Sequence, residues 1–575
     1  MCQSADPLPA GLVAWINTRF CASIWHDDPM KSDQELYKRL RELPKEELWR
    51  REVPRFDAAG SRERMERVAL IRAVGMIFSR FGTEEEKSLV REWLITLLRD
   101  PQEKLRRYAL AALPKVGVGE GEEVEMLALL KTGGEREKKH LGRALEKVGR
   151  EATLAVLEEA DLKEGVSLPA LTLQKVKAGV SRINNSGGVN LEAPLPVTSD
   201  LRVLLRCRRG LEDFVREEAM EMLSKKEWSL GATQPGCVEL KPLKEFPLST
   251  LYRLRCFATV AFPLGSVTGA GVAWVERLAR CIASPSARSL LLAASEGTPR
   301  YRLEFADRGH QRGTIRQVID RAYALCPEIL NDARQSPWSV DVLAPARGES
   351  AVELRPRLYP DPRLGYRKDD IAAASHPPLA ACMARLAGIQ ENETLWDPFC
   401  GSGLELIERS LRGGVTVAYG TDLDARAIGV AQTNFEAGTS GRVRSEFTCC
   451  DFRETSILPG SVSLIITNPP LGRRVRIKDM QGLFADLYAA ASRALQSGGR
   501  LVFVNPLRSG PADASLKLEY QKSVDLGGFT CRLEMYRKMA YGKQTKKSTA
   551  AKLETPSAKK TPAPAWWSRV GRADR

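Results

Sequence analysis

Between Asp370 and Asn468 the chain alternates short apolar runs with helical stretches, and a polar residue closes each run. The run through Leu395 and Trp396 ends in Asp397, Val415 to Thr421 in Asp422, Phe447 to Cys450 in Asp451, and Val462 to Thr467 in Asn468. Strand-length apolar runs separated by helices are the pattern of a doubly wound parallel sheet. Such a sheet binds ligands beyond the carboxyl ends of its strands, so the closing residues are candidate site residues.

After the fourth run the chain reads Asn468-Pro469-Pro470-Leu471. The Asn468 side-chain oxygen and the Pro469 carbonyl can both accept hydrogen bonds from one exocyclic amino group. The prolines donate nothing and fix the backbone, so the carbonyl has little freedom to turn away. A nitrogen held by two acceptors is ready for methylation, although Asn-Pro also marks ordinary turns and the surroundings must decide. After the first run, Asp397-Pro-Phe399-Cys400-Gly401-Ser402-Gly403 precedes a helix expected over 404–411. Gly401 and Gly403 permit a tight turn and the close approach of a ligand to the backbone. Asp397 is placed to bind a ligand ammonium. Asp422, 25 residues further on, has the offset of an acid that hydrogen-bonds ribose hydroxyls, with Asp424 a rival for that role. Asp451 can accept from an adenine amino group, with Phe452 against the ring. Each acid taken singly has a plain alternative as a helix N-cap or a loop carboxylate. No G-x-G-x-x-G is present and nothing provides a diphosphate cradle. An amino acid, a ribose and an adenine without a diphosphate point to S-adenosyl-L-methionine rather than NAD.

The 575 residues suffice for three or four domains, and shifts in composition mark them. From about 35 to 160, helix follows helix. Leu97-Leu98, Ala112-Leu113 and Val116-Gly117 recur 32 residues later as Leu129-Leu130, Ala144-Leu145 and Val148-Gly149. This resembles HEAT-type repeats, with an ordinary helical bundle as the plain alternative, and such a module offers a protein- or RNA-contact surface. Residues 181–200, rich in Asn, Gly, Ser and Pro, read as a linker. Strands are expected at 201–207, 237–240, 301–305, 339–343 and 351–354, with helices at 210–224, 273–282 and 314–324. Beyond Lys543, low-complexity Lys/Thr/Ala/Pro sequence predicts disorder, interrupted by Trp566-Trp567.

Of the net charge of +15, +7 lies in that tail, where nine Lys and Arg stand against Glu554 and Asp574, and about +8 is spread over the remainder. A mild basic excess over the remainder favours polyanionic partners without requiring one. No run of eighteen apolar residues exists to span a membrane, and the opening MCQSADPLPAGL lacks the basic region of a signal peptide. The twelve Cys include no C-x-x-C and the four His lie far apart, so no metal is expected and a reducing cytoplasm is.

Asp397 to Gly403, Thr421-Asp-Leu-Asp424, Asp451 and Asn468-Pro-Pro470 resemble motifs of class I S-adenosylmethionine-dependent amino-methyltransferases. Gly365-Tyr-Arg367, His376-Pro377 and a helix over 379–386 look like the lead-in of the THUMP-containing N2-guanine RNA methyltransferases. Gly210-Leu-Glu-Asp213 and residues 252–258 are similar to that family's ferredoxin-like piece. Residues 301–358, with Arg308-Gly309-His310 and Gly313, are similar to its THUMP domain. The resemblance covers about 201–541. It implies a ferredoxin-like domain (201–265), a THUMP RNA-binding domain (266–360) and a Rossmann-like α/β methyltransferase domain (361–542); outside it, the recurrence and the composition give a HEAT-like helical domain (1–180), a linker (181–200) and a basic tail (543–575).

The activity it implies is methylation of a guanosine N2 in structured RNA, transfer RNA before ribosomal RNA. Asn468, Pro469, Pro470 and Leu471 would meet the target base. Asp397, Phe399, Cys400, Gly401, Ser402, Gly403, Asp422, Asp424, Asp451 and Phe452 would line the cofactor, and Arg308, Arg312, Arg316, Arg473 and Arg474 would hold RNA. The family carries an aromatic residue after Asn-Pro-Pro. Leu471 stands here instead, able to lid a base but without a π face, and Arg473 is a candidate to stack in its place. The same residues also suit a DNA amino-methyltransferase, an N5-glutamine protein methyltransferase, or an RNA-binding scaffold with an impaired methyltransferase domain.

Overall fold

Thr83 accepts a hydrogen bond from the Glu86 N–H while the Glu86 carboxylate reaches back to the Thr83 N–H, a capping box that opens one of a long succession of helices. The computed structural model describes residues 29–162, 170–184, 187–306, 312–344, 348–372, 374–472 and 477–540. The chain forms two compact units, Met1–Val180 and Ser181–Arg575. Among the described residues of the first unit only helices occur. Ala69–Phe81, Glu103–Val116 and Glu135–Val148 pack side by side in one layer, and Glu84–Leu98, Glu120–Thr132 and Glu151–Leu162 in another. Gly75 permits the first contact, since a Cβ there would stand 2.8 Å from the Ala112 Cβ. The recurring pairs occupy matching places: Leu97-Leu98 ends a helix of the second layer as Leu129-Leu130 does, and Ala112-Leu113 and Ala144-Leu145 sit on the buried side of the first.

In the second unit the elements expected between 201 and 354 fall within about two residues of their expected places. They build one eight-stranded sheet in the order Trp228–Gln234, Cys237–Pro242, Val203–Arg206, Thr259–Thr268, Glu349–Pro356, Trp338–Val342, Arg300–Phe305, Leu330–Asn331. Thr259–Thr268 runs straight through the domain boundary expected at 265. It pairs with Val203–Arg206 on one side and Glu349–Pro356 on the other, so the two regions share a sheet. Its sequence hid it: Pro263 and Gly265 look like strand breakers, yet they sit at a register shift opposite Glu353 and Val352, where a bulge tolerates both. The segment expected as a linker is also pinned down. Asn190 N–H donates to Ala294 O at 2.9 Å, Pro194–Leu195 pairs with Phe246–Pro247, and Leu195 is wholly buried. Its turn-rich composition reflects an irregular path, held by backbone hydrogen bonds rather than by a periodic apolar face.

The second sheet of this unit has seven strands in the order Arg444–Cys449, Val415–Asp422, Glu393–Asp397, Val462–Thr467, Leu495–Asn505, Thr530–Lys538, Leu516–Asp525. The first five are parallel and the last two antiparallel. Its central strands are buried on both faces. Leu464 and Ile466 enter the core shared with the eight-stranded sheet, whereas Ile465 packs with Phe484 and Leu487. Strand order reverses between Glu393–Asp397 and Val462–Thr467, which places Asp397 and Asn468 side by side at the switch point. The two sheets are locked together. Arg255 donates to the buried Glu408 at 2.7 and 2.8 Å, Tyr366 donates to the same carboxylate at 2.6 Å, and Arg363 donates to Phe257 O at 2.7 Å. Among the described residues no helix is long and apolar enough to cross a membrane.

Candidate active site at the carboxyl ends of the parallel strands

The loop after the first central strand turns on two glycines in the left-handed region, Gly401 at φ 51° and Gly403 at φ 82°. Gly403 N–H donates to Cys400 O at 2.7 Å, and a Cβ on Gly403 would meet the Ala431 backbone at 3.4 Å. Asp422, at the end of the neighbouring strand, holds this loop: one oxygen accepts from Gly401 N–H and the other from Asp424 N–H, both at 3.0 Å. Asp424 is exposed and caps the helix Ala425–Thr439, accepting from Arg426 N–H at 2.9 Å. Asp451 caps the short turn Phe452–Glu454 and pairs with the Arg453 guanidinium at 2.9 Å. Phe452 is buried, its ring centroid 4.8 Å from that of the half-buried Phe399, so Phe399 is the more exposed of the two rings. Cys400 and Ser402 are buried within the loop.

Asp397 is fully buried. Its Oδ1 accepts from Phe399 N–H at 3.0 Å, and its Oδ2 has no hydrogen-bond partner. Burial above all, and then the charge of Glu405, push this carboxyl well above the ordinary range, and the Phe399 amide opposes that only in part. Glu405, on the helix that follows the glycine loop, is itself buried and pushed up to about 7 by burial, against a hydrogen bond from Ser375. An unpaired, desolvated carboxyl oxygen of this kind is matched by a cationic group.

Asn468 is half-buried and Pro469 buried. The Asn468 Nδ2 donates to Ser375 Oγ at 2.8 Å, which leaves its Oδ1 buried and without a partner. An anchored amide nitrogen and an unfilled amide oxygen are what an acceptor for an incoming amino group requires. Leu471 is half-buried against the core, and Gly472 takes φ 77°. Asn434, fully buried, closes the site from behind. It accepts from Lys368 N–H at 2.8 Å and donates to Asp369 O at 3.0 Å and Ser402 O at 3.2 Å, tying the lead-in segment to the glycine loop.

The structure thus gathers Asp397, Phe399 to Gly403, Asp422, Asp451 and Asn468 to Leu471 at one end of one sheet. Arg316 stands elsewhere, exposed on the helix Arg312–Leu325, with Asp320 3.9 Å away. Arg308, Arg473, Arg474, residues 1–28 and the tail from 543 lie outside the described residues, as does the side chain of Arg312. Ser375, Glu405 and Asn434 went unnoticed in the sequence. Each is a common polar residue on a loop or helix; the roles of Ser375 and Asn434 arise from contacts 93 and 32 residues away, and that of Glu405 from the turn of the chain that brings it back to Asp397.

A family model described as an RMKL-like methyltransferase domain matches residues 364–523. A tRNA (guanine(10)-N2)-dimethyltransferase of Methanothermobacter thermautotrophicus is 31% identical over 132 residues, 23% of this chain and 38% of that protein. The ribosomal RNA large subunit methyltransferase K/L of Shewanella sediminis is 26% identical over 238 residues, 33% of this chain and 32% of that one. The matches span between about 30% and 40% of these curated relatives. The crystal structure of TrmN from Thermus thermophilus superposes with a TM-score of 0.46 at 20% identity, covering 59% of this chain and 100% of that one.

Proposed function

We propose that this protein is an S-adenosyl-L-methionine-dependent RNA methyltransferase acting on the N2 amino group of a guanosine, in transfer RNA first and ribosomal RNA second. The observation that carries it is the pair of unsatisfied buried acceptors, Asp397 Oδ2 and Asn468 Oδ1, at adjacent strand ends inside the matched methyltransferase segment. The residues present fit the cofactor: Asp397 Oδ2 would take its ammonium, Asp422 its ribose hydroxyls and Asp451 its adenine amino group. The open backbone at Gly401 leaves room beside it, with only the tip of Ile371 within 3.5 Å of a Cβ there. The cofactor, when bound, supplies a methyl group on a sulfonium.

The chain's own task is to present the nucleophile. A guanine amino lone pair is delocalised into the ring. Asn468 Oδ1 and the Pro469 carbonyl would accept its two hydrogens, draw the nitrogen towards tetrahedral and aim the lone pair at the methyl. Positioning and electrostatic complementarity do this work, and no strong base is needed. A guanosine in a stem must first be flipped out, at a cost of a few kcal/mol. Leu471 would lid the base. We read the two halves of the eight-stranded sheet as ferredoxin-like and THUMP parts that grip RNA by phosphate contacts, with Arg308, Arg312 and Arg316 among them. The helical unit is read as HEAT-like, and the setting as cytoplasmic.

The test is incubation of the purified protein with tritiated S-adenosylmethionine and bulk transfer or ribosomal RNA, followed by digestion to nucleosides. Label in N2-methylguanosine is expected, and Asn468→Ala should abolish it while RNA binding persists. Label in N6-methyladenosine, or only with DNA, overturns the reading. The relatives act on transfer RNA and on ribosomal RNA by their names, which is why both substrates are tested.

A further inference from the structure

The two helix layers of the first unit carry opposite charge. Ala69–Phe81, Glu103–Val116 and Glu135–Val148 hold eleven Lys and Arg against four Glu. Glu84–Leu98, Glu120–Thr132 and Glu151–Leu162 hold three Lys and Arg against twelve acids. The 32-residue recurrence that positions the buried leucines also positions the outward cations. Lys104, Arg107 and Lys115 recur as Arg136, Lys139 and Lys147, and Tyr108 recurs as His140. Positions 104, 107, 108, 111 and 115 share one helix face, so the repeat lays a stripe of cations across neighbouring helices. Arg72 extends it onto Ala69–Phe81, its guanidinium 4.1 Å from the centroid of the Tyr37 ring.

These charges are not neutralised in place. Among the described residues, Arg72, Lys115, Lys139, Arg143 and Lys147 have no carboxylate within 4 Å, while Arg107 has Glu103 at 3.6 Å and Lys104 has Asp33 at 3.9 Å. Partial burial and the like charges of Arg72 and Lys147 hold the Lys115 ammonium below its ordinary range. Burial and then Arg107, Arg143 and Lys139 do the same to His140. Helices pack about 9 Å apart, so three of them spread the stripe over roughly 20 Å.

We infer that this basic layer is a second RNA-contacting surface, one that holds phosphates of the substrate RNA outside the catalytic unit. The choice of nucleic acid over an acidic protein rests on the missing apolar anchors. Protein interfaces have apolar centres, yet among the described residues of these six helices the basic layer exposes one large apolar side chain, Phe81 at the very end of Ala69–Phe81 and nine residues past Arg72, whereas Leu89, Val124 and Val156 lie on the acidic layer. The inference rests on the RNA methyltransferase reading for the identity of the polyanion.

The experiment measures binding of bulk transfer RNA to the full-length protein as a function of salt. One variant combines Lys115→Gln, Lys139→Gln, Arg143→Gln and Lys147→Gln; a control combines Lys87→Gln and Lys131→Gln from the acidic layer. Each phosphate contact contributes about 0.7–0.9 to the slope of log affinity against log salt. The fourfold variant should therefore flatten the slope by about 3 and bind at least about tenfold more weakly near 0.1 M salt, with unchanged thermal unfolding. The control should change neither. An unchanged slope in the fourfold variant overturns the inference, and so does loss of poly-glutamate binding with RNA binding intact, which would mark an acidic protein partner. Methylation is scored separately. Guanosine methylation with an unaffected slope sinks this inference alone, whereas a flattened slope in a protein that methylates no RNA sinks the catalytic reading alone.

Discussion

At the scale of the residue, Asn468 owes its readiness to Ser375. The serine hydroxyl takes the amide nitrogen and so dictates which end of the amide is offered to a substrate. Replacing Ser375 by Ala should free the amide to rotate. We expect kcat to fall by about tenfold to a hundredfold with RNA affinity unchanged, as for a misaligned acceptor in a preorganised site. Steady-state methylation kinetics check this, and Ser375→Thr should restore most of the rate.

A pH dependence follows from the buried carboxyls. Glu405, raised to about 7 from 4.5, is held protonated by the fold between those values. Its burial therefore stabilises the cofactor-free protein most at acid pH, and that contribution is lost as pH rises from about 4.5 to about 7. A bound ammonium reverses the preference, because it favours ionised Asp397 and Glu405. Cofactor affinity should weaken as pH falls below about 7, and binding in that range should release a proton, detectable by calorimetry in buffers of different ionisation enthalpy. Affinity independent of pH between 5 and 8 would contradict the assignment of Asp397.

At the scale of the element, the helix Leu404–Ser410 serves two ends at once. Its first turn carries Glu405 into the site, and its last carries Glu408 to Arg255, in the segment that leads into the other sheet. Glu408→Ala leaves Arg255 without its carboxylate and should cost about 3 kcal/mol, read from denaturant unfolding. Activity at low temperature should survive, since no step of the proposed chemistry uses Glu408. The elements most legible in the sequence were those with one dominant signal: the strand Val462–Thr467 stands where its mostly apolar run put it. Thr259–Thr268 and the closing hairpin Leu516–Asp525 and Thr530–Lys538 were not. Pro263 and Gly265 mask the first. The outer hairpin strand Leu516–Asp525 buries only Leu516 and Val524 and reads as polar, because an edge strand has one partner and much solvent.

At the scale of the whole molecule, the cores are divided unequally. The helical unit has its own core, whereas one apolar cluster runs from Leu205 and Phe262 of the eight-stranded sheet into Leu379 and Leu464 of the methyltransferase segment. Scanning calorimetry should therefore resolve no more than two transitions, one for 1–180 and one for everything else. A third, separate transition for residues 201–360 would contradict the shared core.

The sequence by itself determined where the central strands Glu393–Asp397 and Val462–Thr467 end and which polar residues close them, because a strand buried on both faces must be largely apolar and stops where a polar residue appears. It also determined the 32-residue rhythm of the helices. Tertiary structure alone decided what those polar residues do. Asp424 and Asp422 are two residues apart and chemically alike, yet one caps a helix in solvent while the other braces the glycine loop. The orphaned oxygen of Asp397 depends on its burial, and that of Asn468 on burial and on Ser375, brought in from 93 residues away. Local pattern records the preference of a residue for strand, helix or turn. Desolvation and hydrogen-bond vacancy are properties of everything packed around it, and no local pattern records them.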